Sequence, residues 1–196
     1  MTAYRVRLAA APDAEAICRI YNQGIEDRVA TLETELRTPD ERRQWLASRS
    51  SRHPVIVAEL AESIVAGTVR PASIEGGLTQ TRPGSASADN PPGALGWASL
   101  NVFNAREAYR FVADISVYVE RGWRGRGVGR VLLEQLTELG RAHGFHKLVL
   151  SAFPSNAGGM ALYARSGFRT VGIYHEQGQL DGKWVDTIVM EKLLSA

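Results

Sequence analysis

Apolar residues recur at helical spacing in the second half of the chain, at Val128, Leu132, Leu136 and Leu139. This period predicts an amphipathic helix with one face in the core. Apolar runs of strand length lie before it, over Val112–Val119, and after it, over residues 146–152. A strand, a helix and a second strand in this order predict an α/β domain.

The N-terminal half predicts further strands and helices, each shorter than 15 residues. Alternation of polar and apolar residues predicts an edge strand at Tyr4–Leu8, and the pair Pro12-Asp13 is typical of a helix start. The expected elements are a strand over 4–8, a helix from 12 to about 23, a helix over 39–48, and strands over 55–59 and 64–69.

Residues 70–93 show neither the helical spacing of apolar residues nor the alternation typical of a strand. Gly-Gly, Pro-Gly and Pro-Pro-Gly interrupt a stretch with almost no large apolar residue, which predicts a long loop. Long loops inside a domain are functional or disordered. We therefore expect one domain over 1–196 with a flexible insertion at about 70–93, and three interpretations stay open: a surface insertion, a lid over an acceptor pocket, or a dimer contact.

Composition narrows the class of protein. The chain has 196 residues, is 44% hydrophobic and carries a formal net charge of +2, so it can form a full core but predicts no basic face for nucleic acid. No N-terminal signal pattern and no apolar run of about 20 residues occur, so we expect a cytoplasmic protein without a membrane partner. The single cysteine, Cys18, lies in an amphipathic stretch and is interpreted as a core residue.

The four histidines do not predict a metal site. They stand at positions 53, 143, 146 and 175; His143 and His146 lie near the end of the predicted helix, where we interpret them as surface residues, and none of the four has a cysteine partner. We therefore expect no metal.

A glycine-rich loop from Arg124 to Arg130 carries the most specific chemical signal. It opens the helix of the Val128 stripe, where backbone N–H groups converge and bind anions. Three glycines allow close approach of a pyrophosphate, as in a nucleotide or coenzyme A. A dinucleotide fingerprint fails because Arg130 stands where the third glycine belongs, and no Gly-Lys-Ser or Gly-Lys-Thr occurs for a Walker loop.

The spacing that fits is Arg124-x-x-Gly127-x-Gly129. It resembles the Q/R-x-x-G-x-G/A coenzyme A loop of the GNAT-type N-acetyltransferases. The flanks agree, because the loop is followed by a helix, a strand, Asn156 and a Tyr-x-x-x-Gly-Phe signature that begins at Tyr163. The resemblance implies the GNAT fold, with a central mixed sheet that splays apart at the cofactor cleft and has helices on both faces.

The resemblance also implies a set of cofactor contacts, with acetyl-CoA as co-substrate. Backbone groups of Val117, Tyr118 and Val119 would pair with the pantetheine arm, and Asn156 would hold its amide or a water, or instead cap the helix that begins near residue 157. The phosphates would bind the loop, in which Arg126 and Arg130 are free to add charge-assisted bonds. The loop residues are Arg124, Gly125, Arg126, Gly127, Val128, Gly129 and Arg130.

Two residues would move protons. Tyr163 stands where the superfamily often places its general acid, with half-buried packing on the sheet as the alternative. Asp114 is an acidic residue between Ala113 and Ile115 on a strand that should be buried, which is costly unless the carboxylate is paired or catalytic. It is expected to act as base, directly or through a water, or else to be a buried hydrogen-bonded aspartate.

The segment Ala113 to Val119 resembles that of phosphinothricin and arsinothricin N-acetyltransferases, which implies direct acetyl transfer to the α-amine of a small amino acid, and a homodimer. Arg106 and Tyr109 would hold the acidic groups of the substrate. Leu32 and Asn104 replace an aromatic and a basic residue of that subgroup, which weakens recognition of a phosphinate side chain. The alternatives are a protein or peptide N-terminal acetyltransferase and a non-catalytic acyl-CoA sensor.

Overall fold

A seven-stranded sheet with helices on both faces forms the protein, as seen in a computed structural model that describes residues 4–61 and 93–194. In chain order the elements are β1 (Tyr4–Leu8), α1 (Ala14–Glu26), α2 (Pro39–Ala47), β2 (Val55–Leu60), β3 (Gly96–Val102), β4 (Val112–Val119), α3 (Val128–Ala142), β5 (Lys147–Ala152), α4 (Ala157–Arg165), β6 (Arg169–Leu180) and β7 (Lys183–Leu193). Single 3₁₀ turns lie at Ala11–Asp13, Glu107–Tyr109 and Arg121–Trp123.

The sheet order is β1-β2-β3-β4-β5-β7-β6, and every described pair of neighbouring strands is antiparallel except β4 with β5. The parallel pairing covers three residue pairs, from Val112 with Lys147 to Asp114 with Val149. Strand β4 continues to Val119 paired with β3 on its other side. The two central strands therefore separate beyond Asp114, in agreement with the expected splayed mixed sheet.

Two apolar clusters bury the two faces of the sheet. On one face the stripe of α3 packs against β2 to β5, and Val128, Leu132 and Leu136 are fully buried. On the other face α1 packs Ile17 and Ile20 against Trp97 of β3. Helices on both faces follow because each strand has apolar side chains on both sides near the centre of the sheet.

Sequence reasoning located the elements and missed some of their ends. Helix α1 continues to Glu26, three residues beyond the expected end at Gln23, because Gly24 and Ile25 are buried against the sheet and extend its apolar face. Strand β5 begins at Lys147 instead of residue 146. The expected strand over 64–69 and nearly all of the insertion at 70–93 lie outside the described residues.

Helix α2 begins with a capping box. The Thr38 hydroxyl accepts the Glu41 N–H, and the Glu41 carboxylate accepts the Thr38 N–H in return at 2.6 Å. Pro39 follows the cap with its fixed φ angle and no N–H to leave unsatisfied. The start of α2 is thus set by local chemistry, although most of the helix is exposed.

We expect Thr38→Ala to lower the free energy of unfolding by about 0.5–2 kcal/mol, because the Glu41 N–H loses its acceptor. Thr38→Ser keeps the hydroxyl and should cost little. Denaturant titration of the three proteins measures the difference. Equal stability of the Ala and Ser variants would show that the box does not hold the start of α2.

Candidate active site

The edge of β4 that faces β5 lacks a strand partner from Ile115 to Val119 among the described residues. This open edge forms one wall of a cleft of about 1410 Å³. Val117, Tyr118 and Val119 line the cleft on that side, and α3 and α4 line it on the other. Peptide groups on an open strand edge can pair with an extended ligand. The three residues predicted to pair with a pantetheine arm therefore lie on a suitable edge.

The glycine loop forms one end of this cleft. Arg124, Gly125, Gly127, Gly129 and Arg130 line it, and Gly127 is the N-cap of α3. Four backbone N–H groups here have no acceptor among the described residues; they belong to Gly125, Gly127, Val128 and Gly129. Free N–H groups at the start of a 15-residue helix are a site for an anion.

Glycine is favoured at these positions for two different reasons. Gly125 and Gly127 have φ angles of 75° and 95°, which side-chain-bearing residues rarely adopt. Gly129 has an ordinary helical conformation, but a Cβ there would lie 2.9 Å from Leu162 Cδ2 of α4. The loop therefore fits a pyrophosphate, since both its shape and its distance from α4 depend on the absence of side chains.

The loop arginines are placed differently from one another. Arg124 pairs with Asp27 at 2.6 Å and donates to the Val119 carbonyl at 3.3 Å, so it holds the loop to the end of β4. The Arg126 guanidinium lies 5.1 Å from the ring centre of Trp123. Arg130 pairs with Glu134 at 2.7 Å on the exposed side of α3. This ion pair is on the surface, and a contact of Arg126 or Arg130 with the phosphates stays a prediction.

Asn156 caps α4, which was one of its two predicted roles. Its Oδ1 accepts the Gly159 N–H at 2.9 Å, and its Nδ2 donates to the Val29 carbonyl at 3.2 Å. Both ends of the amide are thus engaged within the protein. A contact with pantetheine stays a prediction.

Asp114 lies where β4 and β5 separate, opposite Asn101 of β3. Burial raises the pKa of its carboxyl group to about 6, and the Asn101 Nδ2, 3.4 Å from Oδ2, offsets part of the rise. A carboxyl with this pKa is ionised at neutral pH and is a stronger base than an ordinary aspartate. Its position and its pKa suit a proton acceptor.

Tyr163 of α4 is buried and lines the cleft. Burial raises the pKa of its phenol to about 12, and the negative charge of Asp114 adds to the rise. The phenol therefore keeps its proton and can donate a hydrogen bond into the cleft. Its ring packs edge-on at 6.0 Å from Phe168, so the predicted structural role in the core is also present.

A second cavity adjoins the first and was not foreseen. It measures about 380 Å³ and shares Tyr118 with the larger cleft. Its floor is a ladder of cross-strand pairs between β3 and β4: Trp97 with Tyr118, Ser99 with Ser116, and Asn101 with Asp114. Apart from Asp114, these residues line the cavity. On β3 the polar residues Ser99 and Asn101 alternate with apolar ones, and this alternation could have predicted a polar face here.

Hydrogen bonds run along this ladder. Ser99 Oγ donates to Asn101 Oδ1 at 3.0 Å, and Asn101 Nδ2 donates to Ser116 Oγ at 3.1 Å. The Trp97 and Tyr118 rings stack with centres 4.7 Å apart. The amide of Asn101 thereby connects the second cavity to Asp114.

The predicted substrate residues lie apart from both cavities. Arg106 and Tyr109 are on the exposed loop between β3 and β4, where Tyr109 packs 5.4 Å from Phe103 and Asn104 accepts the Arg106 N–H. Leu32 packs on β6, where a Cβ at Gly178 would lie 2.9 Å from it. In the single chain these residues are not brought together with Asp114.

Comparison with known families agrees with this geometry. Residues 17–168 match the acetyltransferase (GNAT) family, which spans both the ladder and the glycine loop. The chain belongs to the GNAT family. GNAT proteins of this type are N-acetyltransferases, and the expected fold is confirmed by solved structures of the same family.

Three similar proteins extend the comparison. An L-methionine sulfoximine/L-methionine sulfone acetyltransferase of Pseudomonas paraeruginosa is 29% identical, over 95% of this chain and 92% of its own length. A phosphinothricin acetyltransferase of Sinorhizobium meliloti, solved in complex with AcCoA, is 25% identical with a TM-score of 0.77, over 98% of this chain and 89% of its own. A ribosomal-protein-alanine N-acetyltransferase of Brucella melitensis is 30% identical with a TM-score of 0.76, over 96% and 99%.

Residues 4–61 and 93–194 of this GNAT domain contain neither a membrane-spanning helix nor a metal-binding cluster. None of the helices there is both long and apolar enough to cross a membrane. No three histidine, cysteine, aspartate or glutamate side chains in those ranges are grouped so as to hold a metal ion.

We expect Gly129→Val to weaken acetyl-CoA binding at least tenfold, because the branched side chain would push α4 away from the loop at Leu162. Isothermal titration measures the dissociation constant. Gly122→Ala is the matched control, since nothing lies within 4 Å of a Cβ at that loop position. Wild-type affinity in the Val variant would refute the assignment of the loop to the phosphates.

We expect the pH profile of kcat/KM to rise through a pKa of about 6, since Asp114 must lose its proton to act as a base. Stability should change in the opposite direction. The unfolded carboxyl ionises near 3.8 and the folded one near 6, so the free energy of unfolding falls as the pH rises across this window. Asp114→Asn should therefore remove the rising limb of activity and be at least as stable as wild type at pH 8.

Tyr163→Phe serves as the comparison for that profile. It removes the hydroxyl but keeps the ring on Phe168, so kcat should fall while the limb near pH 6 remains. Wild-type kcat in the Phe variant, or loss of the limb, would argue against separate proton-moving roles.

Proposed function

We propose that the protein is an acetyl-CoA-dependent N-acetyltransferase that acts by direct transfer on the α-amine of a small amino acid or amino-acid analogue, of the phosphinothricin or methionine sulfoximine type. The observation that carries the proposal is the open edge of β4. Asp114 lies at the start of this edge, and the glycine loop, with four N–H groups that have no hydrogen-bond acceptor among the described residues, follows its end. A thioester substrate laid along this edge would bring its reactive end to the carboxylate and its phosphates to the loop.

Acetyl-CoA supplies the acetyl group when bound. Ionised Asp114 accepts a proton from the incoming amine, directly or through one water, which leaves the nitrogen lone pair free to attack. A carbon–nitrogen bond forms and the carbon–sulfur bond breaks. The amine proton then returns to solvent from Asp114, and the nitrogen sheds a second proton to water as the amide forms. The Tyr163 hydroxyl is the proton source for the departing thiolate, and a proton from water restores the phenol.

The raised pKa of Tyr163 limits how it can act. A phenol with a pKa of about 12 is a weak acid in water, so full proton transfer to a hydrated thiolate would be uphill. Desolvation, however, raises the pKa of any group that is negative when ionised, including a thiolate that departs inside the cleft. Tyr163 is therefore proposed to hydrogen-bond the sulfur as charge develops and to transfer its proton late.

The remaining assignments are proposals on the same footing. They include the pantetheine contacts of β4 and Asn156, the phosphate contacts of the loop, a cytoplasmic location, a single domain and a homodimer. Arg106 and Tyr109 are exposed in the single chain, so a role in substrate binding would require the flanking loop to move or a second copy to cover it.

One alternative acceptor has a specific observation behind it. The similar Brucella protein is named ribosomal-protein-alanine N-acetyltransferase, and the terminus of a protein offers an amine without an adjacent free carboxylate. The exposed position of Arg106 is compatible with either acceptor. The two functions differ in whether the carboxylate next to the amine is recognised.

A screen of acceptors decides between them. We expect thiol release from acetyl-CoA with phosphinothricin, methionine sulfoximine or another free amino acid, and at least tenfold lower kcat/KM with the corresponding carboxamide, because a charged contact contributes about 1.5–3 kcal/mol. Equal rates on acid and amide, or activity only on peptides, would favour the alternative. Binding of acetyl-CoA without thiol release on any acceptor would indicate the non-catalytic sensor.

A further inference from the structure

The second cavity contains a buried arginine without an anionic partner. Arg42 of α2 is 9% exposed, and its Nε is buried without a hydrogen-bond partner. Its guanidinium lies 4.0 Å from the ring centre of Tyr21 and 5.5 Å from that of Trp45. Within the described residues no carboxylate lies within ion-pair distance of it, although its side chain lines an open cavity.

A buried guanidinium without a direct ion-pair partner is costly, and the charge of Glu33 acts on Arg42 only through space. The aromatic contacts of Arg42 offset part of this cost through the faces of the two rings. They leave the hydrogen-bonding capacity of the planar group unused, and a guanidinium presents five N–H donors. A ligand with anionic oxygens would use those donors.

The other charges of the cavity are already satisfied. Glu33 accepts from Arg37 at 2.7 Å, and Glu41 is held by the N–H of Thr38 at 2.6 Å and lies 3.6 Å from Arg37. Asn22 further fixes Arg37 by bonding both its backbone N–H and its carbonyl. Arg37 is shared by two carboxylates, so the nearby charge of Glu33 also acts on Arg42 through space, but neither carboxylate makes a direct ion pair with Arg42. The guanidinium of Arg42 is therefore the charged group of the cavity wall whose N–H donors have no acceptor among the described residues.

Neutral groups on the same wall add to this charge. Ser116 Oγ accepts from Asn101, so its own hydroxyl proton is available, and Tyr118 lines both this cavity and the main cleft. A cavity of about 380 Å³ with aromatic walls lies within the size range of small-molecule sites. From here Asn101 leads directly to Asp114, where the amine would react.

We propose that Arg42 is a specificity-determining residue that binds an anionic oxygen group of the acceptor in the cavity between α2 and the β3–β4 ladder. The group is either the α-carboxylate or an acid at the end of the acceptor side chain. This inference rests on the proposed function for the direction of the acceptor, with its amine toward Asp114. It assigns to Arg42 the charge recognition that sequence resemblance assigned to Arg106.

The test measures equilibrium binding of L-phosphinothricin and L-methionine sulfoximine by tryptophan fluorescence, since Trp45 and Trp97 line the cavity. Arg42→Gln should weaken binding about tenfold or more, as expected for loss of a charged hydrogen bond. Arg43→Gln is the matched control, because Arg43 is exposed on the same helix and pairs with Asp40 and Glu15 away from the cavity. It should bind both compounds as wild type does.

The two probes distinguish the two sources of charge. Weaker binding of both compounds assigns the α-carboxylate to Arg42, and weaker binding of phosphinothricin alone assigns its side-chain acid. If Arg42→Gln does not fold, Arg42→Lys keeps the charge but loses the planar donors, and should still weaken binding severalfold. Acetyl-CoA affinity should stay unchanged in each variant, as shown by separate titration.

Three results would overturn the proposal. The first is wild-type affinity for both probes in a folded Arg42→Gln protein. The second is the absence of saturable binding of either probe by the wild type. The third is that Arg106→Ala loses binding while Arg42→Gln keeps it. Binding is measured without turnover, so failure of the catalytic proposal is a separate result. A protein that binds the probes through Arg42 but releases no thiol would refute the enzyme function and support the anion site.

Discussion

The early separation of β4 from β5 is the constraint on which the site depends. Parallel pairing stops after three residues, which leaves five residues of β4 with one bonded edge and one open edge. A central strand with an open edge is unfavourable unless something pairs with it. Asp114 is the last paired residue before this separation, and its charge acts on Tyr163, which lines the cleft. The proposed binding edge and the proposed proton-moving groups therefore meet at one break in the sheet.

The two faces of the sheet carry different parts of the candidate site. The α3 face supplies a packed core and the start of the helix that carries the free N–H groups, while the α1 and α2 face carries the polar ladder and Arg42. Strand β4 serves both faces, since successive side chains point to opposite sides. Val117 and Val119 pack toward α3, and Ser116 and Tyr118 point toward the second cavity.

The features that the sequence predicted correctly are those that depend on local patterns of residues. The Val128 stripe gave α3, and the spacing of the three glycines identified the loop before its φ angles or its contact with Leu162 were known. Sequence reasoning did not find Arg42, because an arginine in a polar nonapeptide helix looks like a solvated charge. Only the packing of α2 against Tyr21 shows that this arginine is buried, and such long-range contacts leave no periodic signal in the chain.

The contact between Gly129 and Leu162 has a consequence for how chains on this fold can vary. Helix α3 begins with the N–H groups proposed to bind phosphate, and α4 carries Tyr163. The two helices approach each other where Gly129 of α3 faces the Leu162 side chain of α4. The Cβ of an alanine at 129 would lie 2.9 Å from Leu162 Cδ2, so the end of that flexible side chain would have to shift. A larger residue at 129 asks for a larger shift at 162, so the pair of positions sets the width of the cleft without either residue having to touch the substrate.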